Sequence, residues 1–91
     1  MDDHQLLDEL LQAAGRLGVE VRREPFETPA VVGGGLCVLR GESLVLIDER
    51  APLPDRVRAL ARALGDLRSE TVYIAPAARE LIERESSPAR P

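Results

Sequence analysis

Two apolar runs lie close together in the middle of the chain, Leu36-Cys37-Val38-Leu39 and Leu44-Val45-Leu46-Ile47, separated by Arg40-Gly41-Glu42-Ser43. A strand with one wet face alternates apolar with polar residues. Neither run does so, and the pair predicts a β-hairpin that is hydrophobic on both faces. With Gly41 and Glu42 as the central turn residues, Leu39 falls opposite Leu44, Val38 opposite Val45, Cys37 opposite Leu46 and Leu36 opposite Ile47. Paired residues share a face, so one face takes Cys37, Leu39, Leu44 and Leu46, and the other Leu36, Val38, Val45 and Ile47. Each face needs a cover. The second set, Leu36, Val38, Val45 and Ile47, is the candidate interface with another chain.

Around the hairpin the pattern changes period. Leu6, Leu7, Leu10, Leu11, Ala14 and Leu17 fall along one stripe of a helix that runs from Asp2 to Leu17, with Gly18 as its left-handed cap. Val19-Glu20-Val21-Arg22-Arg23-Glu24 starts as an alternating strand, its valines turned to the core. Two prolines make residues 25–30 a loop, and Gly33-Gly34-Gly35 leads flexibly into the hairpin. A second helix spans 54 to 66, with Val57, Leu60, Ala61 and Leu64 on its buried stripe and Ala59 and Ala63 turned elsewhere. Thr71-Val72-Tyr73-Ile74 alternates like a short strand, and Pro76 opens a third helix ending near Glu85.

The order α-β-β-β-α-β-α predicts an α+β domain over residues 1–85: a small, mostly antiparallel sheet of three to four strands with two or three packed helices. Residues 86–91 read as a disordered tail. With 91 residues the chain has room for one modest core.

Composition narrows the function. Phe26 and Tyr73 are the only aromatics, so stacking platforms for bases are lacking, and the net charge of −4 argues against a polyanion binder. Nucleic acid is therefore not an expected partner. No apolar stretch approaches a membrane span, and a single cysteine without a leader-like N-terminus points to the cytoplasm.

Chemistry-bearing groups are sparse. The triple glycine is followed by an apolar strand, whereas phosphate-cradling loops open a helix. His4 and Cys37 are the only imidazole and thiol, too few for a transition-metal site without further ligands. Asp48, Glu49 and Asp55 cluster beside a helix start, where the dipole already favours carboxylates. Arg56, Arg58 and Arg62 line the second helix as a candidate anion or protein contact. No catalytic residue, cofactor, metal or small-molecule ligand is expected.

The segment Leu60-Ala61-Arg62-Ala63-Leu64-Gly65-Asp66, with the order of elements before it, resembles the ImmA/IrrE-type zinc metallopeptidase domain from about Leu6 to Asp66. That family carries His-Glu-Leu-Gly-His on this helix, with two zinc-binding histidines and a glutamate that activates water. Arg62 and Asp66 stand at the histidine positions and Ala63 at the glutamate. The resemblance therefore implies a degenerate domain without the zinc site, in which Arg62 and Asp66 are spaced to form an ion pair instead. The functional expectation is a small non-catalytic interaction or regulatory module, working as a homodimer or with one protein partner. The alternative is a degenerate metallopeptidase-like pseudoenzyme, or a small enzyme with its site near Cys37, Asp48 and Asp55.

Overall fold

The computed structural model describes residues 1–25, 34–67 and 71–86. Helix α1 (Asp3–Leu17) opens on a reciprocal cap, in which the Asp2 carboxylate accepts the Gln5 N–H and Gln5 Oε1 accepts the Asp2 N–H, both at 2.9 Å. Two orphan helix donors are satisfied at once. The helix closes at Gly18, whose φ of 75° is the left-handed conformation expected of a glycine cap.

Three strands follow, β1 (Glu20–Glu24), β2 (Gly34–Leu39) and β3 (Glu42–Asp48), in the spatial order β1-β3-β2. The sheet is mixed. β2 and β3 form the hairpin, while β1 runs parallel to β3, with Val21 beside Val45. The α+β class holds, but half of the pairing departs from the mostly antiparallel expectation, because β1 joins the far side of β3 instead of pairing with its sequence neighbour.

The turn also shifts. Arg40 (φ 54°) and Gly41 (φ 82°) are its central residues, the two positive φ values of a type I′ turn. Leu36 accordingly pairs with Val45, Cys37 with Leu44 and Val38 with Ser43. Every pair moves by two residues relative to the expected register. Such a slip preserves parity, so the division of the hairpin into two faces survives.

Helix α2 (Leu53–Gly65) lies over β2 and β3 and also packs against α1 and α3. Val57, Leu60, Ala61 and Leu64 are buried as expected, and so are Ala59 and Ala63. Those two alanines correct the narrow stripe: α2 has protein on several sides, and small side chains let neighbouring helices approach. Helix α3 (Pro76–Ser86) packs on α2 and α1. It extends through Ser86, the first residue of the expected tail, and the remainder of that tail lies outside the described residues.

The expected fourth strand does not form. Thr71–Ile74 is an irregular passage, wound as a 3₁₀ turn at Thr71 and bent at Val72, two of whose carbonyls are taken by arginines: Arg79 Nη2 donates to the Val72 carbonyl at 2.9 Å and Arg16 Nη1 to that of Tyr73 at 3.2 Å. Its alternation is nonetheless real, with Ile74 buried, Val72 packed on the core and Tyr73 exposed. The core joins Leu10, Val45, Ile47, Leu60, Leu64, Leu81 and Ile82 into one cluster between helices and sheet. Full burial of side chains this size contributes about 1.5–3 kcal/mol each.

Candidate functional site

The helices lie on one side of the sheet, and the strands sort their residues accordingly. On the helix side Val45 and Ile47 are 0% and 2% exposed and Leu36 is packed partly against the core. Val45 and Ile47 are thus covered by the protein's own helices and cannot serve as the expected contact with another chain. Val38 differs. It shares their face but lies opposite Ser43 near the hairpin tip, beyond helical cover, and is 70% exposed.

On the opposite side, Leu44 is buried and Cys37 and Leu46 are half-buried. Glu20, Arg22 and Glu24 of β1 take the same side by register. Arg22 Nε donates to Glu20 at 2.8 Å, and this hydrogen bond, with the charges of Glu20 and then Glu24, raises the guanidinium pKa above its ordinary value. Leu17 at the end of α1 and Leu67 just after α2 border a groove with Glu20, Arg22 and Leu44.

β1 and β2 are the two edges of the sheet, and they differ in kind. β1 reads Glu-Val-Arg-Arg-Glu, a charged edge of the sort that discourages strand addition. β2 reads Gly-Gly-Leu-Cys-Val-Leu and carries no charge. In a two-residue hairpin the residues flanking the turn form a hydrogen-bonded pair, here Leu39 with Glu42, and bonded pairs recur at every second position. Cys37 therefore bonds to β3, while the N–H and C=O groups of Leu36 and Val38 point outward. No described strand pairs with them.

Gly34 begins this strand in a conformation of its own. Its φ is 132°, and a Cβ there would lie 2.0 Å from the Leu46 carbonyl oxygen. The glycines at 34 and 35 are thus part of β2, and Gly34 is a close-approach residue, where the sequence suggested only a flexible lead-in.

The other candidate residues are dispersed. Arg56 donates through Nε to the Ala51 carbonyl at 3.0 Å, which ties α2 to the preceding loop. Arg58 is engaged by Asp55 one turn away, and Arg62 is half-buried. Arg56, Arg58 and Arg62 therefore do not form one open basic face. At the positions of the peptidase motif, Ala63 is buried, Asp66 is exposed beyond the helix end, and no Arg62–Asp66 ion pair forms among the described residues.

Asp48 accepts the Arg50 N–H at 3.0 Å, as a turn residue. Cys37 pairs with Leu44, four residues from Asp48 and so roughly 13 Å away along β3. Cys37, Asp48 and Asp55 consequently do not converge on one pocket. Among the described residues no group of three or more His, Cys, Asp and Glu side chains is placed to hold a metal ion. His4 is an exposed residue of the first turn of α1.

A wide groove of about 890 Å³ runs from Leu17 and Val19 past Arg22 and Leu44 to Arg40 at the hairpin tip, and a smaller one of about 270 Å³ lies among Leu6, Val57, Arg58 and Leu81. The larger is lined by Ser43 together with Glu20 and Glu42, and no hydrogen bond among the described residues joins that hydroxyl to either carboxylate. No described helix is long and apolar enough to cross a membrane. Compared with family models, with curated proteins and with solved structures, the chain matches none.

Proposed function

We propose that this chain is a small non-catalytic protein-interaction module that receives a strand from its partner at the β2 edge. The observation that carries this reading is the contrast between the two edges: β1 is charged along its length, whereas β2 is uncharged and exposes Val38 beside outward-pointing backbone groups. Strand addition gives affinity through the main chain and needs no concave pocket. That mode suits a molecule whose thiol and carboxylates are scattered.

A photo-reactive benzophenone residue replacing Val38 in the full chain, produced in cells, tests the reading. Discrete covalent adducts are expected from position 38 and not from Glu83, an exposed position on α3. Equal yields from both positions would overturn it.

A further inference from the structure

We infer that the strand received at this edge is β2 of a second copy of the chain, running antiparallel about a two-fold axis beside Cys37 and joining the two sheets into one of six strands. This rests on the interaction reading above. Hydrogen bonding selects the register. Leu36 and Val38 have extended backbone with both groups turned outward, whereas Gly34, though paired with Ile47, has a φ of 132° in place of the negative φ that a further antiparallel pair needs. Centring on Cys37 pairs Leu36 with the partner's Val38 and Val38 with the partner's Leu36, and each such pair exchanges both N–H···O bonds. The exposed Val38 side chain is then laid against an aliphatic neighbour on its own face, and this happens twice by symmetry.

Charge agrees with the geometry. A symmetric pairing of β2 opposes no like charges, because Gly34 to Leu39 carries none. It also brings the hairpin tip of each copy to the other end of its partner's sheet. Arg40 at the tip is exposed, and no described acidic group pairs with it. The register sets it opposite the partner's Gly34, which is itself paired with Ile47, just before Asp48 and Glu49. Two strand spacings, roughly 10 Å, separate Arg40 from those carboxylates. An arginine and a glutamate side chain close that gap between them, and the contact also forms twice.

Cys37 reports the register. It meets its own counterpart as a non-hydrogen-bonded pair with Cα atoms about 4.5 Å apart, inside disulfide range, whereas a two-residue slip separates the cysteines by about 7–8 Å, beyond it. Sedimentation equilibrium of the full chain under reducing conditions is expected to show a dimer at micromolar concentration. Diamide oxidation of the same sample is expected to link the two copies through Cys37. Val38→Lys, at an exposed position, is expected to weaken the dimer at least about tenfold with an unchanged circular dichroism spectrum.

A monomer at about 100 μM, a dimer that diamide does not link through Cys37, or a dimer indifferent to Val38→Lys would each overturn the inference. Adducts from position 38 to a different protein would overturn it too, while leaving the interaction module standing.

Discussion

Gly34 and Gly35 are chemically identical neighbours in one strand, and the fold places opposite demands on them. At Gly34 a Cβ would meet a backbone carbonyl at 2.0 Å, and φ is 132°, a region that L side chains rarely adopt. Backbone cannot swing aside as a flexible side chain can. At Gly35 a Cβ would meet nothing within 4 Å, and φ is unexceptional. Gly34→Ala is therefore expected to cost about 3 kcal/mol or more, from strain plus displacement of β3, a large share of a small domain's stability. Gly35→Ala is expected to be neutral or to stabilise by up to about 1 kcal/mol, by restricting the unfolded chain. Urea unfolding of the two variants checks this, and equal midpoints would contradict it. Three consecutive glycines in a sequence do not reveal which of them is constrained, because that depends on how closely β3 approaches.

At the scale of elements, the parts legible in the sequence are those fixed by local chemistry. Asp2, the apolar spacing to Leu17 and Gly18 define α1 without reference to anything else. Val57, Leu60, Ala61 and Leu64 likewise announce α2. What was hidden depended on neighbours far along the chain. Nothing in Glu20–Glu24 says that β1 lies parallel beside β3, and the alternation of Thr71–Ile74 suits a strand as well as the irregular, bent passage held by Arg16 and Arg79. Leu36, Val38, Val45 and Ile47 share one face, as the alternation predicts, but which members of that face the helices would cover was not readable from periodicity.

Ala59 and Ala63 were hidden for a related reason, since alanine is as common on wet helix faces as on buried ones, and only the approach of other elements to α2 decides. Their burial at 1% and 2% makes a prediction against simple hydrophobicity. Ala63→Leu adds apolar surface to α2 yet is expected to destabilise by about 1–3 kcal/mol through overpacking. Leu60→Ala on the same helix is expected to cost about 2–5 kcal/mol by opening a cavity. Thermal and urea unfolding measure both, and a stabilised Ala63→Leu protein would show that the space beside α2 is looser than its burial implies.

For the whole molecule, two electrostatic effects act on self-association with opposite signs, and their ranges decide between them. Each copy carries a net charge of −4 and is about 31–34 Å across, so the copies repel. At about 30 Å that repulsion is roughly 2 kcal/mol in unscreened water, and a Debye length near 10 Å at 0.1 M salt reduces it to about 0.1 kcal/mol. The proposed contacts of Arg40 with Asp48 and Glu49 act at short range, where screening is weaker, and exposed pairs of this kind are worth about 0.2–1 kcal/mol each. The local attraction therefore dominates above about 0.1 M salt. Raising salt from there to about 0.5 M is expected to weaken the dimer a few-fold, whereas global repulsion alone would leave it unchanged or strengthen it. Arg40→Glu should weaken the dimer and reverse the sign of its salt dependence, and adding Glu49→Arg should restore both, because the swap rebuilds the same contact with its charges exchanged. Sedimentation equilibrium of these variants across a salt series separates the cases. A dimer whose salt response is the same with Arg40, with Arg40→Glu and with the double exchange would place the hairpin tip away from its partner's acidic end, and so rule out the antiparallel docking of β2 on β2.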